Sequence, residues 1–332
     1  MKICVVGAGV IGLSSALHIQ EICQNVEITL MSEKFSPETT SDVSGGFWTP
    51  FTVDAVKQPI IRSWAKETLD YMFRLCRSID AGEVGAQLLS GYYLPKTDQW
   101  FKDIVLGYRD MTEEELQLFP NPGGGVFFTS ASVDVKSYLP WLMSRFKANG
   151  GRVLKIKVNT LAELSPEYDI VVNCCGVWAG DVTVDSSVRP IRGQLLRVHA
   201  PWIKHFIFNL SSENYAYIIP GAYDVVLGGT FEEDDWNEKP DSRVRERILN
   251  NCSNLFPSLK AIKFSSDWTG LRPARPTIRL ELESIQTPTK TSMVVHNYGH
   301  GGSGVTLHWG CAREAAKIVA QAIHTLSTRP KL

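Results

Sequence analysis

"KICVVGAGVIGLSSALHIQEICQNVEITLMSEK", residues 2–34, contains the strongest fold signal in the chain. Its first apolar run, Ile3 to Val6, predicts a short strand that is buried on both faces, as in a parallel sheet. A glycine-rich turn follows at once, then a helical segment, and then a second strand over 26–32 that leads to Glu33. The stretch therefore predicts a βαβ unit at the start of a Rossmann-type α/β fold.

The glycine spacing in this unit predicts a dinucleotide site. Gly7 permits the tight turn, Gly9 lets the backbone approach a pyrophosphate, and Gly12 lets the helix pack close to the sheet. Glu33 follows Gly12 by 21 residues, close to the spacing of about 20 for a carboxylate that binds a ribose. An ordinary tight turn is the alternative. An acid without an arginine cluster disfavours NADP and leaves NAD and FAD open.

The next segment, "FSPETTSDVSGGFWTP" over 35–50, is polar and rich in glycine. Its hydroxyls and exposed backbone amides are suited to holding more of a cofactor. The alternative is a surface loop with a helix N-cap at Ser41 or Asp42. Composition alone leaves both interpretations open.

Composition excludes several classes of function. The 332 residues include 34 basic and 35 acidic side chains, well mixed, which argues against a nucleic-acid partner. Seven scattered cysteines without a CxxC pair predict a reducing compartment and no metal site. No leader and no transmembrane helix are expected. The end, "RPKL" over 329–332, resembles a peroxisomal tail with Pro330 in place of the small residue, so we expect a peroxisomal or otherwise cytoplasmic protein.

The rest of the chain predicts two interleaved units. Helical periodicity marks 56–82, 113–118 and 136–148, and apolar runs predict strands over 150–164 and 168–176. Cys174 and Cys175, at the end of the second run, are expected to be apolar fillers. From residue 191 strands dominate, apart from a helix over 242–254, until a parallel-type strand over 292–297. The nucleotide-binding unit is assigned to 1–50, 137–190 and 266–332, and a β-rich substrate-binding cap to 51–136 and 191–265.

A second glycine-rich loop, residues 299–304, lies between the strand predicted over 292–297 and a long helix that starts near Val305. It predicts a second helix N-terminus that can cradle an anion. The NAD-binding unit needs only one such site, whereas the N1/C2=O edge of a flavin gathers negative charge on reduction. The loop therefore favours FAD over NAD. His300 is expected to be a spacer rather than a base.

One further segment predicts a receptor for a carboxylate. "WTGLRPARPTIRLE" over 268–281 places three arginines among prolines that stiffen the backbone. Arg272 directly follows a strand-like run, so we choose it over Arg275 and Arg279, for which structural ion pairs are expected. Tyr217 opens a strand–turn–strand segment, where it is either a packing residue or has a role that its own segment does not reveal.

Together these segments resemble the D-amino-acid oxidase and D-aspartate oxidase family. The matching motifs run nearly end to end: VVGAGVIGLS, KFSPETTSDVSGG, VNCCGVWAG, IRGQLLRVHAPW, YIIPG, GLRPARPTIRLE and NYGHGGSGVTLHWGCAREAAK. The resemblance implies an FAD-dependent oxidase that moves a hydride from a D-amino acid to flavin N5. O2 then yields H2O2, and hydrolysis of the imine yields a 2-oxo acid and ammonia.

The resemblance also implies the site. Arg272 and Tyr217 would bind the substrate carboxylate and the carbonyl of Gly302 its α-amine, with Thr49 and Tyr215 as further substrate contacts. Two positions differ from the family pattern. Thr49 stands where the amino-acid branch tends to carry Gln, and Cys175 stands where the family often has a hydroxyl residue. The implied FAD contacts are Gly7, Ala8, Gly9, Ile11, Glu33, Lys34, Thr39, Thr40, Gly46, Phe47, Val158, Cys175, Gly301, Gly302, Ser303, Gly304, Val305 and Thr306.

The family has a neutral and an acidic branch. In the acidic branch an Arg follows "HFI" and a His lies near the first substrate loop. Here residues 205–216 contain no Arg or Lys, and Phe51 takes the place of the His. We therefore expect neutral D-amino acids and O2 as the small-molecule partners. A D-aspartate oxidase, a non-catalytic FAD-binding protein and an NAD dehydrogenase are the alternatives. The oligomeric state is left open, with a homodimer among the options.

Overall fold

The structure is a computed structural model that describes residues 1–54, 58–121, 123–211, 215–262, 264–286 and 291–328. The peroxisome-like tail over 329–332 lies outside these residues. In the described residues no helix combines the length and the apolar character that a membrane crossing needs.

The strands, in chain order, are β1 (Lys2–Val6), β2 (Glu27–Ser32), β3 (Gln87–Leu94), β4 (Leu106–Asp110), β5 (Val126–Ser132), β6 (Arg152–Lys155), β7 (Ile170–Asn173), β8 (Arg189–Val198), β9 (Phe206–Asn209), β10 (Ala216–Pro220), β11 (Val225–Gly228), β12 (Glu232–Glu233), β13 (Phe264–Ala274), β14 (Arg279–Gln286) and β15 (Thr291–Tyr298).

The α-helices are α1 (Val10–Ile22), α2 (Ile60–Leu75), α3 (Glu113–Leu116), α4 (Val135–Ala148), α5 (Ala179–Thr183), α6 (Ser242–Leu255) and α7 (Gly304–Thr328). Short 3-10 helices lie at Thr40–Val43, Leu161–Leu164, Gly176–Trp178, Pro257–Ala261 and Gly301–Ser303.

Six strands form a mostly parallel sheet in the order β14-β15-β7-β1-β2-β6, with β14 as the antiparallel edge. Strand β1 pairs in parallel with β2 and β7, and β15 pairs in parallel with β7. The apolar residues of β1 and β7 are buried because helices cover the sheet. The Rossmann-type α/β class is confirmed, and so is the parallel strand predicted over 292–297.

The second sheet has nine strands. Its order is β12-β8-β11-β10-β9-β3-β5-β4, and β13 pairs with β8. Most of its pairs are antiparallel, but β3 and β9 run in parallel. This sheet is the predicted β-rich unit, although no strand was predicted over 87–94 or 126–132. The strand predicted over 150–164 is wrong beyond Lys155, because the chain leaves the sheet edge and buries Leu161 and Leu164 in a 3-10 turn.

Two segments pack against a different unit from the one to which the sequence assigns them. Residues 266–274, assigned to the nucleotide-binding unit, belong to β13 and pair with β8 in the second sheet. Helix α2, assigned to the cap, packs on α7 of the nucleotide-binding unit. Gly310 permits this approach, because a Cβ there would lie 2.4 Å from the backbone oxygen of Trp64.

A cavity of about 960 Å³ lies between the two sheets. Its lining includes Val6 and Ser32 at the carboxyl ends of β1 and β2, and Cys174 just after β7. The carboxyl edge of a doubly wound sheet is where such folds bind nucleotides. Side chains of β3, β9 and β10 form the opposite wall.

Candidate active site

The first turn of the chain is built so that no side chain obstructs it. Gly7 has a φ of +107°, and a Cβ there would lie 2.3 Å from the backbone oxygen of Cys174. A Cβ on Gly12 would lie 1.8 Å from the backbone oxygen of Gly7. The predicted roles of the two glycines in the tight turn and the close helix packing therefore have a direct steric basis.

The polar segment over 35–50 folds against this turn. Ser41 Oγ accepts a hydrogen bond of 3.0 Å from the backbone N–H of Val10, at the start of α1. The Thr39 backbone N–H and hydroxyl donate to the buried Asp42 carboxylate at 2.9 and 2.6 Å. The predicted cap at Ser41 or Asp42 is therefore wrong for the local 3-10 helix, whose N-cap is Thr39. Thr39 and Thr40 line the cavity.

The end of β2 carries the predicted ribose-binding acid. Glu33 lines the cavity, and its carboxylate lies 3.9 Å from Lys157 Nζ. Lys34 Nζ lies 3.3 Å from the Glu238 carboxylate, which comes from the loop before α6. Both lysines at this end of the cavity therefore have an acidic partner.

The second glycine-rich loop is tied to the segment around Phe51. Ser303 Oγ accepts from the Phe51 backbone N–H and donates to the Phe51 carbonyl, both at 2.8 Å. The Gly302 N–H donates to Thr52 Oγ1 at 2.6 Å. These bonds hold the loop before α7 against the part of the chain that carries Thr49 and Phe51.

Four buried polar atoms around the cavity lack a hydrogen-bond partner in the described residues: Thr49 Oγ1, Thr269 Oγ1, Asn297 Oδ1 and His300 Nε2. An unpaired buried polar atom costs about 1–3 kcal/mol. The ring nitrogens and carbonyls of a flavin supply such partners, so the residues fit FAD. Burial lowers the pKa of His300 to about 3, which keeps its imidazole neutral and makes it a weak base.

Of the three candidate arginines, only Arg272 lines the cavity. Arg275 pairs with Asp185 at 2.9 Å, and Arg279 pairs with two glutamates of β14 at 2.7 and 2.8 Å. Arg272 donates to the carbonyl of Thr230 at 2.9 Å, and no carboxylate among the described residues forms an ion pair with it. It is the arginine best placed to receive a carboxylate from a ligand.

Glycines make room for both predicted substrate-binding side chains. A Cβ on Gly193 of β8 would lie 2.3 Å from Arg272 Nη2. Gly228 of β11 is paired with Tyr217, and a Cβ there would lie 2.0 Å from the tyrosine Cζ. A Cβ on Gly229 would lie 2.7 Å from the same phenol oxygen. The two glycines at the end of β11 and just after it thus leave space for the Tyr217 ring.

Tyr217 is a buried phenol next to Arg272. Burial raises its pKa, and the Arg272 guanidinium opposes the shift only in part. The hydroxyl therefore stays protonated and can donate to a carboxylate. Tyr215 lies two residues earlier, with its ring perpendicular to that of Tyr217 and the centroids 6.4 Å apart. Burial also raises the pKa of Tyr215.

Most of the predicted site residues line this one cavity. Three do not: Gly46, Ser303 and Thr306. Ser303 and Thr306 instead hold the neighbouring chain, and the Thr306 hydroxyl donates to the Thr49 carbonyl at 2.7 Å. The predicted residues on the cavity are Gly7, Ala8, Gly9, Ile11, Glu33, Lys34, Thr39, Thr40, Phe47, Thr49, Val158, Cys175, Tyr215, Tyr217, Arg272, Gly301, Gly302, Gly304 and Val305.

Several polar residues of the site were not predicted from the sequence. Asn297 and Thr269 line the cavity, and Ser41 binds the start of α1. Asn297 was detectable, since a polar residue that ends a buried parallel strand lies at the ligand edge of the sheet. Burial raises the pKa of the Cys174 thiol to about 12, consistent with its expected role as a filler.

Such a sheet with its glycine turn, joined to a second sheet that places Arg272 and Tyr217 on the cavity wall, is typical of a two-unit flavoprotein. The chain matches, over residues 2–318, the model of a family described as FAD dependent oxidoreductase. The protein therefore belongs to the FAD-dependent oxidoreductase family, and its cofactor is FAD.

The relatives carry two different names. The human protein named D-aspartate oxidase is 41% identical, over 98% of this chain and 97% of the relative. A protein of Rubrobacter xylanophilus named D-amino-acid oxidase is 39% identical, over 96% of each chain. These matches confirm the family resemblance that the motifs indicate, and they do not decide between its two branches.

Solved structures share the fold at low identity. Glycine oxidase from Geobacillus kaustophilus superposes with a TM-score of 0.74 over 97% of this chain and 94% of its own, at 16% identity. Iminodiacetate oxidase from Chelativorans sp. BNC1 gives a TM-score of 0.76 over 96% and 95%, at 17% identity.

Proposed function

We propose that the protein is an oxidase of neutral D-amino acids that yields a 2-oxo acid, ammonia and H2O2. The observation that carries the proposal is the pair of Arg272 and Tyr217, side by side on the cavity wall. Arg272 has no carboxylate partner among the described residues, and the Tyr217 phenol stays protonated. The two groups together suit one carboxylate of an amino acid.

The chain's own residues would bind and orient the substrate. The guanidinium of Arg272 would pair with the carboxylate, and the Tyr217 hydroxyl would donate a second hydrogen bond to it. The carbonyl of Gly302 would accept a hydrogen bond from the α-amine. Bound FAD supplies the hydride acceptor. Catalysis would then rest on positioning rather than on a side-chain base, which agrees with the weakly basic imidazole of His300.

The charges of the cavity support a neutral substrate side chain. Its described lining contains three cations, and two of them, Lys34 and Lys157, have acidic partners. A second carboxylate near Arg272 would be desolvated without a partner, at a cost of several kcal/mol. Arg62 pairs with Asp103, and neither Arg62 nor Lys204 lines the cavity. Lys57 lies outside the described residues.

Peroxide release with D-alanine, D-methionine, D-phenylalanine and D-aspartate tests the proposal. The neutral substrates should exceed D-aspartate by at least about 100-fold in kcat/KM, since each 1.4 kcal/mol is tenfold. Faster turnover of D-aspartate at sub-saturating concentration would contradict it and favour the branch to which the human relative's name belongs.

The flavin absorbance spectrum distinguishes an oxidase from a non-catalytic FAD-binding protein. Anaerobic D-alanine should bleach the yellow colour of the oxidase, because the substrate reduces the flavin. A spectrum that stays unchanged with D-alanine, D-phenylalanine and D-aspartate would contradict the enzymatic proposal itself.

A further inference from the structure

A row of three aromatic side chains crosses the second sheet. Tyr93 on β3 lies opposite Phe208 on β9, and Phe208 lies opposite Tyr217 on β10. Because directly paired residues project from the same face of a sheet, the three side chains form one continuous surface. The ring centroids are 5.8 Å apart for Tyr93 and Phe208 and 5.7 Å apart for Phe208 and Tyr217, with interplanar angles of 30° and 28°. All three residues line the cavity.

The row leads away from the carboxylate receptor. Tyr217 at one end lies next to Arg272. Neighbouring strands are about 4.8 Å apart, so Tyr93, two strands further on, lies about 10 Å from Tyr217. Phe208 supplies an apolar wall between the two phenols, and Phe47 packs on it with a centroid distance of 5.6 Å. The row therefore has the length and surface of a subsite for an extended side chain.

The far end of the row is polar. Tyr93 is 7% exposed, and no described residue forms a hydrogen bond with its hydroxyl. Burial raises the pKa of Tyr93 to about 12, so the hydroxyl remains a donor at neutral pH. Tyr215 also lines the cavity, and its hydroxyl likewise has no partner among the described residues. Two unpaired phenols in an aromatic pocket are suited to a ligand that brings a hydrogen-bonding group.

We propose that the substrate side chain lies along Phe208 and ends at the hydroxyls of Tyr93 and Tyr215. The site then selects neutral D-amino acids with a long side chain that carries a hydrogen-bonding group at its tip. This inference rests on the proposed function and names the substrate class of the same site. The phenols supply hydrogen bonds but no positive charge, so they suit a neutral tip better than a carboxylate.

D-Tyrosine and D-phenylalanine are the matched probes, because they differ by one hydroxyl at the tip. In the unmodified enzyme we expect kcat/KM for D-tyrosine to exceed that for D-phenylalanine by at least about 5-fold, the size of a net hydrogen bond. In Tyr93→Phe the ratio should fall toward 1, since the pocket then loses one of its two terminal donors. Tyr215→Phe should lower the same ratio, and this variant tests the subsite if Tyr93→Phe does not fold.

Tyr92→Phe is the matched control. Tyr92 is the next residue on β3, does not line the cavity, and packs against Phe119 and Phe127. Its substitution should leave the ratio unchanged. A ratio at or below 1 in the unmodified enzyme, or the same ratio in all variants, would overturn the subsite while D-amino-acid oxidation persists. Failure to oxidise any D-amino acid would overturn the proposed function instead.

Discussion

Arg272 is the residue on which the proposed chemistry most depends. Arg272→Leu should raise KM for D-amino acids by about 30-fold to 1,000-fold or more, because losing one partner of a desolvated charge pair costs about 2–5 kcal/mol. FAD should remain bound, since the described contacts of Arg272 are with backbone carbonyls, with Tyr217 and with the Phe51 ring. Steady-state kinetics and the flavin absorbance check both parts.

Arg243→Leu is the control for this variant, because Arg243 is an exposed arginine at the start of α6 and does not line the cavity. It should leave KM unchanged. If Arg272→Leu and the unmodified enzyme have equal kinetics, the prediction is wrong and another arginine binds the substrate carboxylate.

The phenol of Tyr217 leads to a prediction about pH. Burial raises the pKa of this phenol above its ordinary value and lowers the pKa of His300 to about 3. Tyr217 therefore donates its hydrogen bond throughout pH 5–10, and that contribution is lost only as pH rises through its raised pKa. Tyr217→Phe should lower kcat/KM by about 10-fold to 100-fold, the value of a hydrogen bond to a charged group. The loss should be equal at every pH in that window, and a shifted pH midpoint would contradict the assignment.

At the scale of elements, the loop before α7 depends on Ser303. Its fully buried hydroxyl forms both bonds to the backbone of Phe51. Ser303→Ala should lower the free energy of unfolding by about 1–3 kcal/mol, because it leaves a backbone N–H and a carbonyl unpaired. It should also weaken FAD binding, measured by flavin fluorescence. Ser327→Ala, at an exposed site near the end of α7, should change neither quantity.

The helices and strands also show which parts of the fold and the site can be predicted from the sequence. The unit of β1, α1 and β2 was predictable because its glycine turn and apolar runs lie within one short stretch. Arg272 and Tyr217 were predictable because both lie within family motifs. The row of Tyr93, Phe208 and Tyr217 was not, because Tyr93 pairs with a strand more than 100 residues away. Register between such distant strands is decided by packing, which leaves no local signal.

For the whole molecule, the two-sheet cavity predicts a cofactor preference that can be measured by melting. Apoprotein should gain about 2.7 kcal/mol of stability at a concentration of FAD 100 times its Kd. NAD at the same concentration should leave Tm unchanged, because both glycine-rich turns and the unpaired polar atoms of the cavity suit a flavin dinucleotide. An equal rise in Tm with NAD would contradict this reading of the cavity.

The order of the parallel sheet has a consequence for biosynthesis. Strand β1 leaves the ribosome before its neighbour β7, which ends at Asn173, and long before β15, which ends at Tyr298. The loop that completes the cavity follows Tyr298 and precedes α7. The nascent chain therefore carries its nucleotide turn without a finished site until this loop has been made. We expect the flavin to be captured only after the loop has left the ribosome, so FAD cannot assist the earlier steps of folding.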